Sequence, residues 1–280
     1  MFGNSKIADK IAKCCFDIDK RCRGELHRGY IVSERDYVSA LSTRIRDEVR
    51  TQFGISCHSQ TVSPRLEKKY GVDGIIVFKC GNEVKVGLFE AKRPQIYNAH
   101  KPAIINNYQW DQLTAGGMTS HFSKQIQKQR KWLGVLALWE MFFNDGPIGF
   151  ASPPFDSDGS SCVWHDSAYS FMNTNGSMFR PWATTPDLQN LLKVDCVNFH
   201  SIIRGLLICN AGIKHRIDTQ NQTAKILSRN SEHIMDIPLP LETISKSNEN
   251  DERVEEFLTD NNLHNFTFLD LDNIKLNTIL

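Results

Sequence analysis

Two apolar runs joined by a tight turn dominate the hydrophobic pattern of the chain, within residues 72–91. Gly81-Asn82 separates the runs and is a sequence that two-residue hairpin loops favour. With these residues as the loop, Cys80 faces Glu83 and the register of every further pair follows. Apolar side chains point to both faces of both strands, which is typical of central strands covered on each side. The pattern therefore predicts an antiparallel β-hairpin at the centre of a sheet.

Apolar positions at helical spacing predict helices on both sides of this hairpin. The first helix covers residues 6–22. The second follows Ser33-Glu34-Arg35-Asp36, which resembles a capping box, and its apolar stripe runs to Val49. A third is predicted over residues 120–143, where an amphipathic period follows a polar, basic start. Short strands are predicted at residues 55–62, at residues 162–165 and at residues 266–270, the last as an edge strand.

The composition is that of a chain that can bury a large core without a strong overall charge. It has 280 residues, of which 40% are hydrophobic, and a formal net charge of +1. We expect residues 1–245 to form one domain and residues 246–280 to form a polar linker and a C-terminal appendage. The small net charge means that any nucleic acid must be attracted by local basic patches. No run is long and apolar enough for a membrane span or a signal peptide, which predicts a cytoplasmic protein.

Two acids and one amine fall together at the open end of the hairpin. The register places Asp73 opposite Glu90, and Lys92 projects from the same face as Glu90 because strand side chains alternate. Side chains directly opposite each other in an antiparallel pair have Cβ atoms about 4.5–5.5 Å apart. At that separation two carboxylates repel each other unless a cation lies between them. The sequence therefore predicts a compact cluster of two acids and an amine at the ends of apolar strands.

Asp73, a strand, and then Glu90-Ala91-Lys92 resemble the motif of the PD-(D/E)xK nuclease superfamily, also called restriction-endonuclease-like. Val72 stands where the family name has proline, a position that varies in the family. The resemblance implies an α/β fold with a restriction-endonuclease-like core, in which a central mixed β-sheet carries helices on both faces. It also implies hydrolysis of phosphodiester bonds in DNA, with RNA left open, in settings such as restriction, defence against foreign or viral DNA, and repair.

The same resemblance implies a site for Mg²⁺ or Mn²⁺. Its ligands would be the carboxylates of Asp73 and Glu90 and the carbonyl oxygen of Ala91, all hard oxygen donors that suit these cations. Lys92 then has two candidate roles, which the sequence leaves open. It orients or deprotonates the attacking water, or it holds the scissile phosphate and stabilises the developing charge.

A fourth acid is expected to join this site from the second helix. That helix and the strand after it make an out-and-back excursion before Asp73, so the start of the helix, with Glu34, lies near the site. Glu48, at the other end, lies about 21 Å farther along the helix axis. A glutamate on the first core helix often completes the metal site in the family, so the resemblance assigns this role to Glu34. The alternative is a simple acidic residue at a helix N-terminus, favoured by the helix dipole.

Polar and basic residues at the start of the third helix complete the candidates. Family members often place a glutamine on the helix after the motif strand, against the attacking water or a phosphate. Gln125 matches that glutamine best, and His121 and Gln129 lie one turn away on either side. Nearby basic residues, together with Arg93, predict a track for nucleic-acid phosphates, with a solvated helix face as the alternative. These basic residues are Lys124, Lys128, Arg130 and Lys131.

Two other functional classes stay open: a catalytically silent nucleic-acid-binding subunit with the nuclease fold, and a partner-binding subunit. The chain has no GxxxxGK[ST] P-loop, so ATP-driven movement along DNA would need an ATPase or helicase partner. A homodimer is also left open. Cys162-x-x-His165 and Cys196-x-x-x-His200 have a spacing that a zinc site tolerates, but the segment between them is unlike a zinc module. Mg²⁺ or Mn²⁺, which the resemblance implies, stays the expected metal.

Overall fold

The computed structural model of the chain describes residues 2–62, 70–96, 108–143, 159–175, 177–182, 184–241 and 250–274. Within these residues the helices are α1 (Ser5–His27), α2 (Glu34–Phe53), α3 (His121–Gln129), α4 (His165–Asn175), α5 (Thr185–Asp195), α6 (Phe199–Leu207) and α7 (Glu252–Asp260). The strands are β1 (Ser56–Thr61), β2 (Gly74–Cys80), β3 (Glu83–Lys92), β4 (Gln95–Ile96), β5 (Tyr108–Gln109), β6 (Ala137–Phe142), β7 (Ser161–Trp164), β8 (Cys196–Asn198), β9 (His215–Asp218), β10 (Thr223–Leu227), β11 (Ile234–Pro238) and β12 (Asn265–Asp270). None of the described helices combines the length and the apolar character that crossing a membrane requires.

One mixed sheet contains most of these strands. Among the described residues it has ten strands, with the order β1-β12-β2-β3-β6-β7-β8, and β9, β10 and β11 form a branch from β3. β3 runs antiparallel to β2 and parallel to β6, so the hairpin lies in the middle of the sheet. Helices α1, α2 and α6 cover one face, and α3, α4, α5 and α7 lie on the other. The predicted α/β class, a mixed sheet with flanking helices, is therefore confirmed.

The hairpin of β2 and β3 has the predicted register. Cys80 pairs with Glu83, and the pairing continues to Gly74 opposite Phe89. Gly81, in the turn, has a φ of 57°, a left-handed conformation that glycine adopts without strain. The Phe89 ring fills the space beside Gly74, where a Cβ would lie 2.5 Å from the ring. Both faces of the hairpin are buried, as the apolar pattern predicts.

The first two helices lie where the apolar pattern predicts them. α1 extends the predicted residues 6–22 at both ends, and α2 begins directly after Ser33. The Ser33 hydroxyl accepts a hydrogen bond from the Asp36 backbone N–H at 3.1 Å, which caps the first turn. Gly54 ends α2 with a φ of 65°. These contacts define where α2 begins, and with it the position of Glu34.

The prediction of a third helix over residues 120–143 is wrong beyond the first half of that range. α3 ends at Gln129, a short 3-10 turn follows, and the chain then continues as the strand β6. Gly134, with a φ of 79°, lies between the two. β6 is buried between β3 and β7. A continuous apolar run fits a buried strand as well as a buried helix, so periodicity alone does not separate the two.

The strand predicted at residues 266–270 is present as β12, but its predicted place at the edge of the sheet is wrong. β12 lies inside the sheet, antiparallel to β1 and parallel to β2. Phe266 and Phe268 are fully buried in the core, and an inner position is what provides that burial. The division into a domain of residues 1–245 and an appendage of residues 246–280 stays a prediction.

Candidate active site

The end of β3 and the turn before β2 bring the predicted acids together. Asp73 stands directly before β2, and its backbone N–H donates to the Phe89 carbonyl at 2.7 Å. Its Oδ2 accepts a hydrogen bond from the Ala91 backbone N–H, also at 2.7 Å. The Asp73 carboxylate is therefore held against the segment of β3 that carries Glu90 and Lys92.

Glu90 and Lys92 form a buried ion pair. Lys92 Nζ donates to Glu90 Oε1 at 2.5 Å, with 0% of the Glu90 side chain and 8% of the Lys92 side chain exposed. The Gln125 side-chain amide donates to the same carboxylate oxygen. Taking two charges out of water costs free energy that their attraction barely offsets, so a buried ion pair is poor evidence of a stabilising role. The pair is therefore a candidate for a functional role.

Lys92 is surrounded by more negative charge than it neutralises. Burial alone disfavours its charged ammonium, but the carboxylates of Glu90, Glu34 and Asp73 outweigh that effect and raise the pKa of Lys92 above its usual value. Lys92 therefore keeps its proton in this arrangement. Three carboxylates against one ammonium leave a surplus of negative charge, which is the electrostatic condition for binding a further cation.

Glu34 reaches this site from the start of α2. Its Oε1 accepts a hydrogen bond from the Arg93 backbone N–H at 2.7 Å, one residue past Lys92. Glu48, at the other end of α2, instead lies 3.3 Å from Arg21 Nη2 on the solvent side of the helix. The structure thus brings Glu34, and not Glu48, to the motif.

α3 packs closely on the turn that carries Asp73. Gly71 has a φ of 68°, and a Cβ there would lie 2.7 Å from the Gln125 carbonyl oxygen. Gln129 Nε2 donates to the Gly71 carbonyl at 2.6 Å. Glycine is needed at this position both for its backbone conformation and for the space it leaves. The close approach allows Gln125 and Gln129 to reach the polar groups at the end of the sheet.

Gly71→Ala is expected to destabilise the protein by about 2–4 kcal/mol, because the added methyl group clashes with α3 on top of the cost of a left-handed backbone. Gly29→Ala is the matched control. Gly29 has a φ of 77°, but no heavy atom lies within 4 Å of a Cβ there, so only about 1 kcal/mol is expected. Urea unfolding of both variants measures the difference. Equal losses would contradict the close packing of α3 on Gly71.

Two of the basic residues predicted to contact phosphates, Arg130 and Lys131, lie over aromatic rings of the chain itself. The Arg130 guanidinium carbon lies 4.9 Å from the centre of the Tyr169 ring, and Lys131 Nζ lies 5.1 Å from the centre of the Tyr70 ring. The negative face of an aromatic ring attracts a cation at such distances. These contacts make Arg130 and Lys131 less available to a phosphate.

The other three basic residues lie close in the chain to residues of the site. Lys124 and Lys128 lie one turn apart on α3 and are half-buried, whereas Gln125 between them faces the sheet. Arg93 follows the motif directly, and its guanidinium donates to the Val32 carbonyl in the turn between α1 and α2. Of the predicted track, Lys124, Lys128 and Arg93 are therefore the positions nearest in the chain to the groups that contact Glu90.

Glu140 and His165 also lie in this region, and neither follows from the motif. Glu140 pairs in register with Glu90 across β6 and β3, and its Oε1 lies 2.9 Å from His165 Nδ1. Both side chains are fully buried. The sequence signal for Glu140 is that it is the one glutamate within the apolar run of residues 135–143. The wrong prediction of a helix over this run hides the signal, because it places Glu140 outside the sheet. The only sequence signal at His165 is its spacing to Cys162.

The site carboxylates face protein donors in this structure. Among the described residues, no three side chains of His, Cys, Asp or Glu surround a common point closely enough to hold a metal ion. Asp73 faces the Ala91 N–H, and Glu90 faces the Lys92 ammonium. The donor set still fits Mg²⁺ or Mn²⁺, because it consists of hard oxygen atoms with a surplus of negative charge.

His165 and His200, whose spacing to cysteines a zinc site tolerates, have different neighbours in the structure. His165 contacts Glu140, whereas His200 Nε2 lies 3.3 Å from Asp9 Oδ1 on α1. The histidines therefore do not share a centre within the described part of the chain.

Comparison with known proteins adds no relative to this picture. No family model, no curated protein and no solved structure matches the chain. The function is therefore inferred from the residues of this chain.

Proposed function

We propose that this chain is a divalent-metal-dependent nuclease that hydrolyses phosphodiester bonds in DNA. The contacts of three acids with consecutive residues at the end of the central hairpin are the observation that carries the proposal: Asp73 accepts from the Ala91 N–H, Glu90 pairs with the Lys92 ammonium, and Glu34 accepts from the Arg93 N–H. Asp73, Glu90 and Lys92 form the motif that resembles the PD-(D/E)xK superfamily. A mixed sheet with helices on both faces is the fold class that the resemblance implies, so we also propose a restriction-endonuclease-like core.

The carboxylates of Asp73, Glu90 and Glu34, with the carbonyl oxygen of Ala91, would hold Mg²⁺ or Mn²⁺. Hard oxygen atoms and a surplus of negative charge are what these cations require. When bound, the cation polarises the phosphate and acidifies a bound water. A phosphodiester repels hydroxide through its own negative charge, so a site that cleaves it needs such compensation.

Lys92 and Gln125 are the groups proposed to act on the substrate. Lys92 is charged and held beside Glu90, which suits it to hold the scissile phosphate and to stabilise the charge that develops on the leaving oxygen. Gln125 is buried, and its amide orients the Glu90 carboxylate. Its Oε1 has no hydrogen-bond partner among the described residues, which leaves it available to accept from an attacking water.

Lys124→Ala and Lys128→Ala are each expected to weaken DNA binding and to lower the slope of log affinity against log salt by about 0.9, because each phosphate contact releases condensed counterions. The effect should depend little on DNA sequence. Titrations in Ca²⁺ at several salt concentrations measure it, because Ca²⁺ commonly supports binding in such sites without efficient cleavage.

Two variants control this binding experiment. Lys214→Ala should leave affinity and slope unchanged, because Lys214 is exposed and pairs with Glu83 at the opposite end of the hairpin. Gln125→Ala should lower turnover about 10²-fold while leaving the salt slope unchanged, because it removes a neutral group near the chemistry. Wild-type affinity and slope in both α3 lysine variants would show that the helix only presents a solvated face.

The proposed function is tested by incubating the purified protein in Mg²⁺ with linear, circular and single-stranded DNA and with RNA. Cleavage of DNA that stops when a chelator is added supports it. Stable binding without cleavage in Mg²⁺ or Mn²⁺ would instead favour the catalytically silent binding subunit. The absence of both binding and cleavage would favour the partner-binding subunit.

A further inference from the structure

A second buried glutamate lies beside Glu90. Glu140 and Glu90 pair in register across the parallel strands β6 and β3, so their side chains project from the same face of the sheet. Neighbouring strands are about 4.8 Å apart, and both residues are fully buried. The motif requires only Glu90. A second carboxylate in the same layer makes the burial of both more costly, so its partners must explain it.

His165, the first residue of α4, is one of these partners. Its Nδ1 lies 2.9 Å from Glu140 Oε1. A carboxylate accepts hydrogen bonds, so the imidazole donates to it from Nδ1. Nε2 is buried and has no hydrogen-bond partner among the described residues. The contact between the His165 imidazole and the Glu140 carboxylate therefore holds Glu140 in one orientation.

Gln129 links Glu140 to the turn before Asp73. Its Nε2 donates to the Gly71 carbonyl at 2.6 Å and lies 3.5 Å from Glu140 Oε2. Gly71 is two residues before Asp73. Gln125, one turn earlier on α3, makes the equivalent contact to the glutamate of β3. Two glutamines on one helix therefore reach the two carboxylates of neighbouring strands, and the second also holds the turn.

We propose that His165, Glu140 and Gln129 are positioning residues for the metal site. His165 orients Glu140, Glu140 holds the Gln129 amide, and that amide holds the turn from Gly71 to Asp73. The inference rests on the proposed function, because it takes Asp73 as a metal ligand. Loss of any one contact loosens the turn and weakens cation binding, while the motif itself stays chemically intact.

Mn²⁺ binding to the protein without nucleic acid, measured by calorimetry, tests this role. His165→Phe and Gln129→Met keep the approximate volume and remove the hydrogen-bonding group. Glu140→Gln keeps the size but removes the charge and turns one of the two acceptor oxygens, which face His165 and Gln129, into a donor. We expect each to weaken Mn²⁺ binding about 10-fold or more, as loss of a residue that orients a metal ligand does. In cleavage assays the same variants should need more Mg²⁺ but regain most of the wild-type kcat when Mg²⁺ is saturating.

Two further variants separate positioning from stability. His58→Phe is the matched control, because His58 is a buried histidine on β1 that contacts Gln60. It should lower stability and retain wild-type Mn²⁺ affinity. His165→Asn should also retain affinity, because its amide replaces the Nδ1 donor. Should His165→Phe or Glu140→Gln not fold, Gln129→Met carries the test, since it breaks the contact to the turn at the last residue of the short helix α3 and leaves the buried Glu140 and His165 pair in place.

The outcomes separate failure of this inference from failure of the proposed function. If the wild type binds no Mn²⁺ and cleaves no nucleic acid, the proposed function is wrong and this inference falls with it. If the wild type binds Mn²⁺, and Glu140→Gln and Gln129→Met bind it equally well and lose only stability, as His58→Phe does, the inference alone is overturned.

Discussion

Glu90→Gln is expected to lower Mg²⁺-dependent cleavage by about 10³-fold or more. The substitution keeps the size of the side chain and removes its charge. It thereby takes away a hard oxygen ligand and the carboxylate that pairs with Lys92 at 2.5 Å. Residues that act as one catalytic unit have non-additive effects, so a similar loss is expected for Asp73→Asn and Lys92→Met, alone or combined. Single-turnover cleavage with enzyme in excess measures the loss.

Asp270→Asn is the matched control for that experiment. Asp270, at the end of β12, forms a half-buried pair with Lys79, with Nζ 3.1 Å from its carboxylate, at the turn end of the hairpin. The variant makes the same kind of change to a carboxylate and an ammonium on the far side of β2. We expect it to lose stability and to keep cleavage wherever it is folded. Undiminished cleavage by Glu90→Gln, or equal losses in both variants, would contradict the role of Glu90.

Glu34→Gln should lower turnover at limiting Mg²⁺ by about 10- to 100-fold, and Glu48→Gln should leave it unchanged. The two variants make one chemical change at opposite ends of α2, so each controls the other. Glu34 contacts the Arg93 N–H and its charge acts on Lys92, whereas Glu48 contacts residues at the surface. Cleavage rates over a range of Mg²⁺ concentrations measure the difference.

Two results would contradict the predicted difference between Glu34→Gln and Glu48→Gln. A large loss in Glu48→Gln with none in Glu34→Gln would mean that α2 lies in the opposite direction relative to the hairpin. Wild-type turnover and Mg²⁺ dependence in both variants would reduce Glu34 to an acidic residue that favours its helix N-terminus.

The hairpin and the placement of Glu34 could be predicted because both depend on local geometry. A two-residue turn at Gly81 sets the register of every pair in β2 and β3, so the positions of Asp73 and Glu90 follow by counting. The length of α2 follows from its cap and its apolar stripe, which assigns the two ends of the helix to different regions. Neither step needs information from distant parts of the chain.

The rest of the site depends on contacts between distant segments, which the sequence pattern does not contain. β6 is apolar and buried on both faces, so it shows no period that separates a strand from a helix. The pattern of β12 indicates a strand but does not separate an inner strand from an edge strand. The order of strands in a sheet is a global property. Glu140 became a neighbour of Glu90 only once β6 was placed beside β3.

Cleavage of DNA by the wild type and by an Asp73→Asn, Glu90→Gln double variant, purified identically and assayed in Mg²⁺ and in EDTA, tests the central claim most directly. Products are predicted only for the wild type in Mg²⁺, with the double variant inactive yet folded by circular dichroism and thermal unfolding. Equal cleavage by both proteins would contradict the claim. So would the absence of cleavage by the wild type on every DNA and RNA substrate in Mg²⁺ and in Mn²⁺.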